Sequence, residues 1–239
     1  MTTAEPLLRL CLLGGFRLEY GAAAVDVCAG GRRLLAYLGL HRHASRSVLA
    51  GTLWPDVTEE RAHGSLRTTL WRLHRGRRPL VHSDQDTLSL ADAVSVDAHA
   101  FTESALRIVR VPGSGAHGEE LPRYLLYDGD LLPGWDEDWV LFERERLRQL
   151  RLHALDVLAA QLIAQGRHAL ALEAALESVR IEPLRESAHR AVVAVHLAEN
   201  NVVEAIRHYC AFSCLLHEEL GVEPSAHFTS MLPIPLNDR

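Results

Sequence analysis

Apolar and polar positions alternate near the start of this chain and then change period. Leu8, Leu10 and Leu12 lie on one side of an extended segment, and after Gly14-Gly15 the run Phe16-Arg17-Leu18-Glu19-Tyr20 alternates between apolar and charged residues. Successive side chains of a strand point to opposite faces, so the pattern predicts two amphipathic strands joined by a glycine turn. A third short strand over Val25 to Val27 is expected after the Gly21-Ala22 turn. From Arg32 the spacing is helical, with Leu34, Leu35 and Leu38 on one face of a helix that fades near His41. Ser45 is placed as the N-cap of a second helix running through Leu49 and Leu53 to Trp54, where Pro55 disfavours helical geometry in the residue before it.

A third helix opens on Asp56 and Glu59 in the spacing of a capping box, sets Glu59 and Glu60 where the helix dipole favours anions, and stops at Gly76. Leu66, Leu70 and Leu73 make its apolar stripe, which turns Arg67, Thr68, Trp71, Arg72 and Arg75 toward the other side. Leu80 to Ser83 and Thr87 to Leu90 then read as a hairpin about Asp84-Gln85-Asp86. An arginine-bearing helix followed by a hairpin is the recognition-helix-and-wing layout of a winged helix-turn-helix, so the expected partner is double-stranded DNA.

Charge is segregated in the same sense. The 239 residues carry a net charge of -6, yet residues 32 to 78 hold ten arginines against Asp56, Glu59 and Glu60. Residues 101 to 239 hold 13 arginines against 21 acidic residues, a balance that a phosphate backbone would repel. One end is expected to face nucleic acid and the other something else. All 25 basic residues are arginine, which suits bidentate contacts, although a complete absence of lysine reflects genome composition more than site chemistry. Composition is otherwise that of a globular chain, 48% apolar and 23% charged, long enough for two modest domains. The apolar run Leu7 to Phe16 contains Arg9 and is too short to span a membrane, and no cationic leader precedes it, so a cytoplasmic protein is expected. Cys11, Cys28, Cys210 and Cys214 fit reduced, mostly buried thiols, with Cys210 and Cys214 packed in the core beside Ile206 and Leu215.

After Trp139 the chain reads as helical almost to Leu220, and it repeats. Gly166 and Asn200 are 34 residues apart, as are Ala171 and Ala205, which is the tetratricopeptide period. The register breaks where Ile181-Glu182-Pro183 and Val222-Glu223-Pro224 fall 41 apart, so the repeats are degenerate. Stacked pairs are expected to bury Leu147, Leu150, Leu155, Leu158 and Leu162 and to leave a concave face for protein or ligand contact.

Motifs of other chemistries are missing. The chain has 14 histidines but no H-E-x-x-H, and His41 and His43 have no neighbouring ligand set. Without lysine there is no P-loop, Gly14-Gly15 and Gly30-Gly31 lack the dinucleotide pattern, and Ser47, Ser65 and Ser89 lie in no nucleophile elbow. Carboxylate pairs such as Glu59-Glu60, Glu119-Glu120 and Glu218-Glu219 are adjacent in sequence and suit helix ends or solvent. No catalytic residue, cofactor or metal is expected, and the protein is not read as an enzyme.

A small sheet before three helices and a hairpin after them resembles the OmpR-type effector domain, in the version found in the SARP family of actinobacterial pathway regulators. The residues that carry the likeness are L-L-G-G-F-R-L at 12 to 18, G-R-R-L-L-A-Y-L at 31 to 38, S-R-S-V-L-A-G-T-L-W at 45 to 54 and S-L-R-T-T-L-W-R-L at 65 to 73. Val96 to Phe101 is similar to the start of that family's bacterial transcriptional activation domain, and Tyr127 to Trp135, continuing through Trp139 to Arg146, is similar to its most recognisable stretch. Pro112 to Gly118 reads as a loop inside this domain, with the domain boundary near Ala93 to Val96.

The expected fold class is therefore mainly α with a small β part: an N-terminal OmpR-type winged helix-turn-helix over residues 1–95 and a C-terminal tetratricopeptide-like helical repeat domain over residues 96–239. The resemblance implies a transcriptional activator that binds direct repeats near promoters as head-to-tail protomers, recruits RNA polymerase holoenzyme, and switches on genes for a secondary metabolite such as an antibiotic. Arg67, Thr68, Trp71 and Arg72 would lie nearest the base edges, Arg75, Arg77 and Arg78 would neutralise phosphates near the wing, and Arg46 would touch the backbone at the start of the second helix. Two alternatives stay open. Arg67, Arg72 and Trp71 can serve a domain interface instead, and the chain can be a repeat-based interaction or ligand-sensing module whose winged helix no longer reads DNA.

Overall fold

The computed structural model describes residues 8–75, 79–110, 125 and 129–233. The expected helix stop at Gly76, the phosphate contacts Arg77 and Arg78, the Pro112 to Gly118 loop and the pair Tyr127-Asp128 lie outside the described residues. The chain folds as two compact units, the first formed by Met1–Phe101 with Gly129–Glu145 and the second by Thr102–Asp128 with Arg146–Arg239. This partition by packing differs from the sequence boundary near residue 95, because residues 129–145 belong with the first unit.

The first unit opens with β1 (Leu8–Cys11) and β2 (Arg17–Tyr20), antiparallel in the register Leu8 opposite Tyr20 and Leu10 opposite Leu18, followed by β3 (Ala23–Ala24). The third strand comes earlier than the predicted Val25 to Val27. Val27 instead buries its side chain under the first turn of α1 (Ala29–His41), where a Cβ on Gly31 would stand 2.7 Å from its Cγ1. Leu34, Leu35 and Leu38 form the buried face of α1, as the spacing predicts. Next come β4 (His43–Ser45), α2 (Arg46–Leu53), α3 (Glu59–His74), β5 (Val81–Asp84), β6 (Thr87–Leu90) and β7 (Val94–Val96).

Ser45 caps α2, its Oγ accepting the Val48 N–H at 3.3 Å. The capping box expected at Asp56 and Glu59 does not form. Pro55 to Val57 lie in a turn and bend, so α3 starts two residues later than Asp56 requires, with Thr58 as an N-cap that makes no side-chain bond. Leu66, Leu70 and Leu73 are buried on α3 as expected, joined by Ala62 and Thr69.

Two three-residue strands, too short to be expected from the sequence, complete the sheets. β4 pairs with β6, giving a three-stranded wing sheet ordered β4-β6-β5. β7 lies parallel to β1 and closes a four-stranded sheet ordered β3-β2-β1-β7. Immediately after β7, Asp97 opens α4 (Asp97–Arg110), and its carboxylate accepts the backbone N–H groups of Leu12 at 2.9 Å and Leu13 at 3.1 Å. Residues 129–145 add a further edge: Leu132 N donates to Leu12 O and Gly14 N to Asp130 O, both at 2.9 Å. Gly14 and Gly129 meet backbone to backbone, since a Cβ on Gly129 would stand 3.1 Å from the Gly14 Cα. Arg144 fixes this segment by donating to the carbonyls of Leu131 at 2.7 Å, Leu132 at 2.6 Å and Trp135 at 2.9 Å.

The second unit is helical. It takes in most of α5 (Asp138–Ala164), followed by α6 (His168–Ile181), α7 (Glu186–Ala198), α8 (Val202–Leu220) and the short α9 (Ala226–Thr229). Leu147, Leu155, Leu158 and Leu162 are buried as expected, whereas Leu150 is only partly covered. Ala205, Tyr209, Phe212 and Leu216 form the inward stripe of α8 and pack with Val193, Phe228 and Leu232. That stripe corrects the cysteine expectation: Cys210 and Cys214 fall on the opposite side of the helix and are exposed, as is Cys28, and Cys11 alone of the four is buried.

Candidate nucleic-acid interface

α3 presents its basic face because its apolar stripe is fully used. With Leu66, Leu70 and Leu73 packed inward, Arg67, Thr68, Trp71, Arg72 and Arg75 are all exposed, and Trp71 keeps 59% of its surface in solvent. Among the described residues nothing buries that indole, so it is not a core residue there. Arg67 and Arg72 form no salt bridge among the described residues, which leaves two cations with their donors free. Arg75, the C-cap of α3, places its guanidinium 4.7 Å from the centre of the Trp71 ring. This cation-π contact holds the end of the helix positive without neutralising it. Thr68 is less free than its position suggests, since its hydroxyl donates to Gly64 O one turn back at 3.0 Å.

The wing is held beside α2 by Arg46. Its backbone N–H donates to Asp86 O at 2.8 Å, and its guanidinium donates to Ser83 Oγ at 2.8 Å and to Gln85 O at 3.4 Å. Gln85 sits at the tip with φ 47, a left-handed conformation that closes the β5-β6 turn. Arg46 is thus only half-exposed and engaged by the hairpin, a structural task that helix-spacing arguments did not foresee.

A concavity of about 810 Å³ runs along the flank of α3 that faces the start of α1, lined by residues including Cys28, Gly30, Trp54, Arg61, Thr69 and Arg72. Arg61 and Thr69 escaped sequence reasoning because the first falls among the acidic residues of the first turn and the second reads as core. In the second unit His189 and His208 meet at 3.0 Å between Nδ1 and Nε2, with His189 stacked on Phe212 at 4.0 Å between ring centres. Burial, with His189 and His196 close by, pushes the His208 imidazole down to about 4, and burial also lowers His189. Among the described residues no group of three His, Cys, Asp or Glu side chains is placed to hold a metal ion, and no helix is long and apolar enough to cross a membrane.

A mainly helical chain with an N-terminal winged helix, its basic helix exposed beside a three-stranded wing, defines a winged-helix regulator. The family model described as the bacterial transcriptional activator domain matches residues 96–232. The chain belongs to that family, as a SARP-type bacterial transcriptional regulator. The regulatory protein AfsR of Streptomyces coelicolor is 29% identical to it over 202 residues, 81% of this chain and 20% of AfsR, so the chain spans about a fifth of that relative's length. A solved structure of Mycobacterium tuberculosis EmbR, in complex with a low-affinity phosphopeptide, has the same fold at a TM-score of 0.77 and 20% identity, covering 95% of this chain and 64% of EmbR.

Proposed function

We propose that this protein is a DNA-binding transcriptional activator whose α3 reads the major groove while the β5-β6 wing tracks the adjacent backbone. The observation that carries this reading is the exposed row of Arg67, Thr68, Trp71, Arg72 and Arg75 on a helix whose opposite stripe is fully buried. Arg67, Thr68, Trp71 and Arg72 supply the base-edge contacts, and Arg75, with Arg77 and Arg78 from the segment that follows, neutralises phosphates. Arg46 orders the wing and reaches the backbone from the start of α2. Protomers bind direct repeats head to tail, with repeat spacing close to whole turns of about 10.5 base pairs so that successive recognition helices meet one side of the duplex.

The second unit supplies the protein contact. Its net acidity disfavours DNA, and stacked helix pairs offer an extended surface for RNA polymerase holoenzyme. The genes controlled are those of a secondary-metabolite pathway. Footprinting of the full chain on promoters near its own gene tests the reading: protection of paired direct repeats supports it. Salt-insensitive behaviour with no protected repeat would favour an interaction module whose winged helix has lost DNA. In transcription with purified polymerase on a protected promoter, stimulation is expected from the full chain.

A further inference from the structure

Four residues of α3, Arg61, Ser65, Thr68 and Arg72, recur at intervals of four, three and four and so form one polar stripe along the helix. The stripe does not coincide with the outermost line of α3 through Gly64 and Trp71. It borders the 810 Å³ concavity between α3 and the start of α1. Neither Arg61 nor Arg72 makes an ion pair among the described residues, nor does Arg67, which lines the concavity nearer the outer face of the helix, so three full charges face one hollow without compensation. Thr69 lines the same hollow with only 7% of its surface exposed, and its hydroxyl has no hydrogen-bond partner among the described residues. The oxygen itself opens into the hollow, where it can donate to a group seated there. Glycine at position 30 keeps that hydroxyl accessible, because a Cβ there would stand 2.9 Å from Thr69 Oγ1.

From this arrangement we infer that the concavity between α1 and α3 is a seat for a phosphate group, held by Arg61 and Arg72 with the Thr69 hydroxyl as the inner donor. Two guanidinium groups supply charge and paired donors, and the hydroxyl supplies a third bond from the protein side. The phosphate comes either from the duplex backbone flanking the major groove or from a free phosphorylated molecule. The first source rests on the DNA-binding reading and refines it, because it moves Arg72 from base contact to backbone; the second does not depend on that reading.

Cys28 is exposed and lines the same concavity, which makes it an internal reporter, while exposed Cys210 and Cys214 in the second unit serve as controls. The full chain is alkylated with iodoacetamide in the presence of inorganic phosphate or of a short random-sequence duplex, at ionic strength matched with chloride, and each cysteine is followed by peptide mass spectrometry. Cys28 is expected to be protected while Cys210 and Cys214 react unchanged. Arg61→Ala, Arg72→Ala and Thr69→Val each weaken that protection about tenfold. Protection by both ligands assigns a seat open to free phosphorylated molecules, and protection by the duplex alone assigns it to DNA. If the duplex does not bind at all, the DNA-binding reading fails, and phosphate protection of Cys28 still decides the seat. Unchanged Cys28 reactivity with both ligands, or full protection retained in Arg61→Ala, an exposed position that carries little folding risk, overturns the inference.

Discussion

Gly166 and Asn200, 34 residues apart, turn the chain in the same way: φ is 72 at one and 60 at the other, each just after the end of a helix. The hydrogen bonds repeat with them. Arg167 N donates to Leu162 O at 2.9 Å and Asn201 N to His196 O at 2.7 Å, and Ala171 and Ala205 follow, both fully buried. The left-handed conformation strains every residue except glycine, which has no Cβ, and strains asparagine less than most. Gly166→Ala meets no atom within 4 Å of its new Cβ, so the backbone penalty acts alone. It should destabilise the chain by about 1 kcal/mol, while Gly166→Asn stays closer to wild type; urea unfolding of both variants measures the difference.

Positioning and reading separate on α3. Arg75→Ala should weaken binding to specific and random duplexes alike and lower the salt slope by about one unit. Arg67→Ala should cost about 1 to 3 kcal/mol on the true site and little on random DNA. Salt titrations of binding on both duplexes check the pair, and an equal loss for Arg67→Ala would make it a phosphate contact.

Trp71→Ala removes the ring on which the Arg75 guanidinium rests and so should add side-chain freedom to that cation. Binding to random duplex is expected to fall by about two- to fivefold, matching a cation-π contact of 0.5–1 kcal/mol at an exposed site. With Arg75→Ala already present, the same change should have a smaller effect on random DNA, which a double-mutant cycle measures.

The wing depends on Arg46. Arg46→Ala deletes the bonds to Ser83 and Gln85 and should speed amide exchange in β5 and β6. Ser83→Ala removes one of those bonds and keeps the charge, so it should loosen the wing with less effect on DNA affinity. Hydrogen exchange followed by mass spectrometry, together with binding to a random duplex, distinguishes the two.

Acid should weaken the second unit. The His208 imidazole is held near 4, below its ordinary 6.5, by burial and by His189 and His196, so the unfolded chain binds more protons between those values. Stability is therefore full above about pH 6.5 and declines as pH falls toward about 4. The melting temperature should drop by about 5 °C over that window. His208→Gln should flatten this part of the profile, read from thermal melts at a series of pH values.

Most of the architecture was legible in residue spacing. The inward stripes Leu34, Leu35, Leu38 and Leu66, Leu70, Leu73 have helical periods, and each is buried because only one face of its helix can be covered. β4 and β7 were not legible, being three residues each and defined by partners more than forty residues away. Asp56 satisfied a local capping pattern that the Pro55 turn overrode. Cys210 and Cys214 shared a helical side with apolar neighbours, but the wider stripe of Tyr209, Phe212 and Leu216 won the core. Within the candidate site the exposed arginines of α3 were legible from their opposition to leucines. Arg61 and Thr69 were not, because a hollow between two helices leaves no mark on either helix alone.

Asp97 is the second residue of the matched family segment, yet its carboxylate closes the sheet of the winged helix through Leu12 and Leu13. Residues 129–145 return to that same unit after the chain has left it. The polypeptide thus passes from one unit to the other three times, and a single cut cannot yield two whole pieces. A chimera that grafts this winged helix onto another regulator at the family boundary would carry an open sheet edge and lack the Arg144 segment. A viable transplant has to be discontinuous, bringing residues 129–145 along as an insertion.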